Sequence, residues 1–459
     1  MRMKFNKSSQ LLLVSAASLM VAGLVTACGT LTVDFVFVSS AKAAGTNNAG
    51  EIDVLEINSE SGYMRHIPTS PFPSGGRNPV AEAASSDNTN LYVVNQDDNS
   101  IVQFIIGNDG KLYPQNTVNT PGIYPVAVTV SGSYLFVVDT YQPLPTCSTA
   151  EPCSGSIAVY PITASSNNPP SDKLGDALTN GSVNYWPLSI PGKPNDVVEP
   201  TAINVLTNAA TKDSYAYVAA YDATASANYI FGFLVAPPAT STTLTGGPCP
   251  ASGPIPVNQF PGGTLCPLNG GAPLAGGAFA QGTCSNAFLN GPFELGTCPS
   301  AIASDSSGDY LYVTDATVGK VHAYAISSGT LTEISGSPFA AGNAPSAIVA
   351  DPKYPYVYVT NALDSTVSAF SASNGVLTNL GTYATSTEPV AIGIDPSTNH
   401  FLFTANYLFN GIAGTVSGFE LNSTSGTLVN SQNSPYTINA YPTAVAAIPH
   451  GVTQSSKQN

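Results

Sequence analysis

Basic side chains are scarce in this chain of 459 residues: 13 Lys plus Arg stand against 28 Asp plus Glu, with 4 His and 1 Trp. A surface so acidic repels nucleic-acid phosphates and anionic lipid headgroups, so no nucleic-acid partner is expected. Motifs are missing as well. There is no Gly-x-Ser-x-Gly, no Walker-type loop, no EF-hand pattern and no Cys-x-x-Cys spacing. No cofactor and no metal are therefore expected. The one pronounced apolar run, residues 11–25, is too short and too soon interrupted for a membrane-spanning helix.

That run has a different meaning. It follows "MRMKFNKSSQ", a basic segment without acid, and ends in "LVTAC", which together describe an export signal. The pentapeptide closing on Cys28 resembles the lipobox of bacterial lipoproteins, which implies cleavage before Cys28 and a lipid on its sulfur. The expectation is a signal peptide at 1–27, a tether at 28–33 and a protein anchored to the cell-envelope membrane. Without the leader the chain keeps 10 Lys plus Arg and a formal charge of −18. Six cysteines remain: Cys147, Cys153, Cys249, Cys266, Cys284 and Cys298. An even number in an exported chain points to disulfides, and nearest-neighbour pairing is the simplest of the possible connectivities.

The body of the chain repeats itself. Pro79, Pro125, Pro200, Pro299, Pro345, Pro389 and Pro442 each begin a phrase with Ala two residues later, as in "PSAIVA" and "PVAIGI". All but the first follow the Ala with Ile or Val. All but the last then carry a second strand such as "YVYVTN" or "YLYVTD", a third such as "TVSAF", and in several copies a fourth announced by Gly-x-Leu in "SGTL" or "NGVL". The copy at Pro442 supplies one strand only, and the segments "DFVFVSS", "GEIDVLEIN" and "GYMRHIPTSPF" near the N-terminus supply the other three. The reading is an all-β chain, a seven-bladed β-propeller of four-stranded antiparallel blades over 34–450, with one blade shared between the termini. Residues 451–459 form a polar tail, and a monomer is expected.

Departures from the repeat mark the candidate sites. Insertions fall at about 141–155, 163–198 and 236–298, lengths that suit ordered functional loops when clipped by disulfides. Glu82 stands where the other six copies have Ile or Val, and a carboxylate between blades is costly unless paired. Arg65, His66 and Arg77 lie just upstream, so the four could meet near one end of the channel. The polar ends of second strands, Asn95, Asp139, Asp315, Asn361 and Asn406, fall on one face, where capping of hairpin turns is the favoured reading over ligand or cation binding.

"YVYVTNALDSTVSAF", "YLYVTDATVGKVHAY" and "LYVVNQDDNSIVQF" resemble the YVTN propeller repeat. With the seven-fold count they are similar to the seven-bladed lactonase family of 6-phosphogluconolactonase type. The resemblance implies lactone chemistry in the channel mouth, carried by His, Arg and Glu, for which Glu82, Arg77, Arg65 and His66 are the candidates. Such enzymes often show a His near the start of an inner strand. Here those places read "YPVA", "APSA" and "EPVA", and the His of "RH" at Arg65 and His66 falls in an outer strand. The expected function is a lipid-anchored propeller that binds a protein, glycan or small-molecule ligand. The alternative is a lactonase.

Overall fold

The computed structural model describes residues 32–41, 49–58, 60–143, 153–164, 172–250, 253–276, 299–395, 401–407, 414–438 and 440–449. The leader, Cys28 and the polar tail lie outside them. Seven antiparallel sheets make seven blades, each a run of four strands from the central channel outward. Blade 1 is the shared one: strand Tyr441–Pro449 is innermost and pairs with Thr32–Ala41, followed outward by Ala49–Asn58 and Met64–His66. Blades 2 to 7 begin at Pro79, Ile123, Val198, Ala301, Pro345 and Pro389.

The second strands explain why blades need neighbours. Tyr356–Asn361 is buried at every position, without the polar alternation of a strand that has one wet face. Val357 and Val359 pack toward blade 5 and Tyr356 and Tyr358 toward blade 7. Each pair of adjacent blades encloses one apolar cluster in this way, including the pair of blades 7 and 1 and the pair of blades 1 and 2. A single blade would leave both faces in water.

The Pro-x-Ala phrase sets the spacing of the inner strands. In blade 6 Pro345 pairs with Asn361 and Ala347 with Thr360, so Ser346 is bulged out of register, and blades 1, 2 and 7 repeat the shift at Thr443, Val80 and Val390. The bulged side chain points toward the next blade. Thr201, Ser300, Ser346 and Thr443 hydroxyls lie 2.6, 2.6, 2.5 and 2.7 Å from the carbonyls of Pro299, Pro345, Pro389 and Pro79 respectively. The anchor prolines thus accept a hydrogen bond from the preceding blade. Past the bulge, Ala packs toward the following blade and Ile or Val toward the preceding one, as Ala202 and Ile203 show. Only a small side chain fits on the first side, where inner strands converge.

Outer contacts use the Gly-x-Leu turns. Gly426 of blade 7 has φ +71° and lies against Tyr356 of blade 6, so a Cβ would come within 2.5 Å of that ring. The neighbouring Tyr358 hydroxyl donates to the Gly426 carbonyl at 3.1 Å. Where the outer strand breaks at Ser-Pro, the Ser70, Ser337 and Ser434 hydroxyls accept third-strand amides of Val54, Ala323 and Gly418 at 2.8, 3.0 and 3.0 Å. These serines satisfy donors that the broken ladder would leave bare.

The described parts of the insertions lie along the outer edges of blades 3 and 4. Lys173–Leu174 and Trp186–Pro187 pair with Ser156–Thr163, and Leu265–Pro267 and Ala275–Gly276 pair with Ala227–Val235. Cys249 and Cys266 form the expected disulfide, and Cys153 is also disulfide-bonded. Cys147, Cys284 and Cys298 fall outside the described residues.

Gly426→Ala is expected to lose about 1–3 kcal/mol more than Gly181→Ala. Both glycines have positive φ, but nothing lies within 4 Å of a Cβ at Gly181. Denaturant midpoints of the two variants check this; equal losses would contradict the turn-on-ring contact.

Candidate functional site at the channel mouth

The four residues that the sequence groups do not meet. Arg65 lies on the outermost strand of blade 1, ion-paired with Glu56 on the neighbouring strand. His66 also faces the outer wall, its Nε2 2.9 Å from Asp53 Oδ1 and its Nδ1 3.1 Å from the Tyr436 hydroxyl of blade 7. Arg77 ends the outer strand Phe72–Arg77 and binds Asp98 at 2.6 Å, with its Nη2 donating to the Asp97 carbonyl at 2.9 Å. Glu82 is on the innermost strand of blade 2, whereas Arg65, His66 and Arg77 are on outer strands of blade 1. Residues close in sequence fall on different blades.

Glu82 points into the seam between blades 2 and 1. Its position after the bulge aims it at blade 1, where the Ser39 hydroxyl donates to Oε2 and the amides of Ser39 and Ala446 face the carboxyl. Oε1 is enclosed without a donor. Burial beside the Phe37, Val93 and Ala446 cluster pushes its pKa up to about 7. At the other flank of blade 1, buried Asp34 faces Asp395, and burial followed by that second carboxyl pushes Asp34 up to about 9.

The polar ends of second strands divide between turn capping and bonds to a neighbouring strand. Asp315 accepts the amides of Thr317 and Val318 at 2.9 and 3.3 Å. Asn361 and Asn406 donate to hydroxyls of the third strand, Ser368 and Ser417, both at 2.9 Å. His322 is engaged with Glu333 at 2.9 Å on the outer part of blade 5, and burial lowers its pKa. Among the described residues, no group of three His, Cys, Asp or Glu is placed to hold a metal ion.

The mouth has its own chemistry, one residue before each anchor proline. Asn78, Tyr124, Ala344 and Glu388 have φ of 52, 56, 51 and 54°, left-handed values that a residue before proline rarely adopts. The conformation turns their carbonyls onto the second strand: Asn78, Ala344 and Glu388 accept the amides of Gln96, Ala362 and Tyr407 at 2.9 Å each. Strain held at one place in four blades is the kind found at functional sites. Two groups of side chains stand there. Tyr407 and Tyr441 have ring centroids 5.3 Å apart with Glu388 beside Tyr407, and Tyr124 and Tyr141 meet edge to face at 6.3 Å with Tyr141 donating to Glu199 at 3.4 Å. Burial raises the pKa of Glu388, whose Oε2 is enclosed without a donor. Sequence reasoning missed all six, of which four, Tyr124, Glu199, Glu388 and Tyr441, stand immediately before an anchor proline.

A closed ring of seven four-stranded blades is a seven-bladed β-propeller. The chain belongs to the seven-bladed β-propeller lactonase family: the model described as Lactonase, 7-bladed beta-propeller, matches residues 35–181 and 299–442, leaving blade 4 and its insertion unmatched. The fold is similar to a candidate 6-phosphogluconolactonase from Bacteroides fragilis, 19% identical over 91% of this chain and 98% of that one, TM-score 0.58. It is also similar to a candidate 6-phosphogluconolactonase from Bacteroides uniformis, at 17%, 91%, 99% and 0.60. The periplasmic gluconolactonase of Pseudomonas aeruginosa compares at 16%, 91%, 99% and 0.57. No curated protein sequence matches.

Replacing Glu82 tests its assigned place. A carboxyl whose folded pKa lies above its ordinary 4.5 contributes most below that value and loses its contribution as pH rises toward about 7. The stability of the native chain relative to Glu82→Gln is therefore expected to fall between pH 4.5 and pH 7, by up to about 3 kcal/mol. Paired denaturant titrations across that range measure it; a pH-independent difference would place the carboxylate in water.

Proposed function

We propose that this chain is an exported, lipid-tethered propeller that binds a small ligand at its channel mouth. The carrying observation is the dispersal of the acid, base and cation set. Lactone hydrolysis needs a cation or donor at the carbonyl and a base for water in one place. Arg65 and Arg77 are instead matched with Glu56 and Asp98, and Glu82 is part-buried in a seam between blades, bonded to Ser39. The strained residues and unmatched carboxylate at the mouth support binding there.

Export is supported by the disulfide of Cys249 and Cys266, a bond that persists in oxidising compartments. A lipid on Cys28 would also orient the molecule. Strand Thr32–Ala41 runs from Asp34, paired with Pro449, to Ser40, paired with Pro442 at the mouth. Cys28 precedes that strand by four residues, a reach of about 14 Å, so a lipid there would hold the far face toward the bilayer and turn the mouth away from it.

A second reading, lactone hydrolysis, follows from family membership and from Glu388, a rim carboxyl with a raised pKa that suits a general base. Hydrolysis of sugar and aliphatic lactones by the soluble domain, followed in a pH-stat, separates the two. The binding reading expects no rate above the spontaneous one. Turnover abolished by Glu388→Gln would establish the lactonase. For the tether, Cys28→Ser is expected to move the protein from the membrane to the soluble fraction after export; continued membrane fractionation would refute the lipid anchor.

A further inference from the structure

Two asparagines among the described residues open an Asn-x-Ser/Thr phrase, the acceptor pattern for N-linked sugar in an exported chain: Asn180 in "NGS" and Asn422 in "NST". Their surroundings differ. Asn180 is half-buried, and its Nδ2 donates to the Tyr185 carbonyl at 3.3 Å. Asn422 is exposed, its Oδ1 accepting the amides of Thr424 and Ser425 at 3.0 and 3.1 Å, and its Nδ2 makes no hydrogen bond to a described residue. It opens the tight hairpin between strands Thr415–Leu421 and Leu428–Asn430, on the outer part of blade 7 at the end away from the mouth. Strand alternation continues into the phrase: Glu420, Asn422 and Thr424 are exposed, while Leu421 is buried in the seam with blade 6. The three polar side chains of "ELNST" are therefore presented together. Directly opposite Glu420 on the neighbouring strand stands Val429, at 64% the most exposed large apolar side chain among the described residues.

We propose that Asn422 is an N-glycosylation site, modified in the exported chain by an oligosaccharyl transferase that reads Glu420, Asn422 and Thr424 together. This goes beyond the binding reading and rests on export alone. In the transfer, Asn422 Nδ2 bonds to the anomeric carbon of a sugar carried on a polyprenyl diphosphate. The bond from that carbon to the diphosphate oxygen breaks, the diphosphate leaves with the electron pair, and the Nδ2 proton passes to a base of the transferase. Such a donor is held in a membrane, and a lipid on Cys28 would hold this end of the propeller toward it. Thr424 supplies the hydroxyl that the phrase requires, and that hydroxyl makes no hydrogen bond to a described residue. Glu420 supplies a negative charge two residues before the acceptor, where Asn180 has Leu178. The hairpin can carry bulk without disturbing the ring: Leu421 and Leu428 hold its base in the apolar cluster and Gly426 rests on Tyr356, so the sugar projects from a fixed turn into solvent. Its first ring would lie beside Val429 and cover apolar surface that the fold leaves in water.

Peptide mapping by mass spectrometry of the mature chain, taken from its own cell envelope, tests this. The peptide carrying Asn422 is expected to bear an oligosaccharide and the peptide carrying Asn180 none. Asn422→Gln and Thr424→Ala should each abolish the added mass, Thr424→Ser should keep it, and Glu420→Gln should leave most copies unmodified, with unchanged melting temperatures showing that the variants fold. A bare Asn422, sugar on Asn180 in its place, added mass that survives Thr424→Ala, or full modification of Glu420→Gln would each overturn the assignment. The N-terminal peptide in the same map reports removal of the leader, so a bare Asn422 in a processed chain counts against the site and not against export.

Discussion

A strand that is apolar on both faces must be covered on both faces, and in this chain every blade has such a strand second from the channel. Tyr92, Tyr217, Tyr312 and Tyr358 are buried between blades, as are the valines that alternate with them. The requirement cannot be met at the ends of a row. The chain meets it by closing the row on itself, with Tyr441–Pro449 supplying the inner strand of the blade that Thr32–Ala41 starts. Thr443 then ties the closing strand to its own blade and to blade 2, lying 2.9 Å from the Ser39 carbonyl and 2.7 Å from that of Pro79. Closure also completes the mouth, since Tyr441 belongs to the closing strand and Glu388 and Tyr407 to the blade before it.

Much of this was legible because the repeat encodes direction and size. Pro at the start of an inner strand, Ala where those strands converge, alternating aromatic and β-branched residues in the second strand and Gly at the outer turn are each the residue type that the geometry demands. Glu82 was legible as an anomaly, but its partner was not. The bulge after Val80 decides which seam the side chain enters, and a register shift leaves no mark in composition. Arg65, His66 and Arg77 misled through proximity. Each found a nearby acid, Glu56, Asp53 and Asp98, on its own blade or the next. The rim residues escaped because their conformation, not their identity, sets them apart: Asn, Tyr, Ala and Glu all occupy the left-handed position before proline.

The family supplies the scaffold, and the rim supplies the difference. Inner strands that all begin at the same face bring one residue per blade to the same end of the channel. Family membership therefore fixes the architecture of this chain more firmly than its activity. The buried carboxyls that flank blade 1, Glu82 on one side and Asp34 with Asp395 on the other, add an acid preference to the same blade that closes the ring. Rising pH charges both flanks of the closure.

The measurement that bears most directly on this account is amide exchange of the closing strand in the mature chain. If Tyr441–Pro449 both closes the ring and completes the mouth, its amides should exchange only with global unfolding, at the same free energy as those of Tyr356–Asn361 in blade 6. Exchange in the manner of a frayed terminus, while the other blades stay protected, would show an open ring and would contradict both roles.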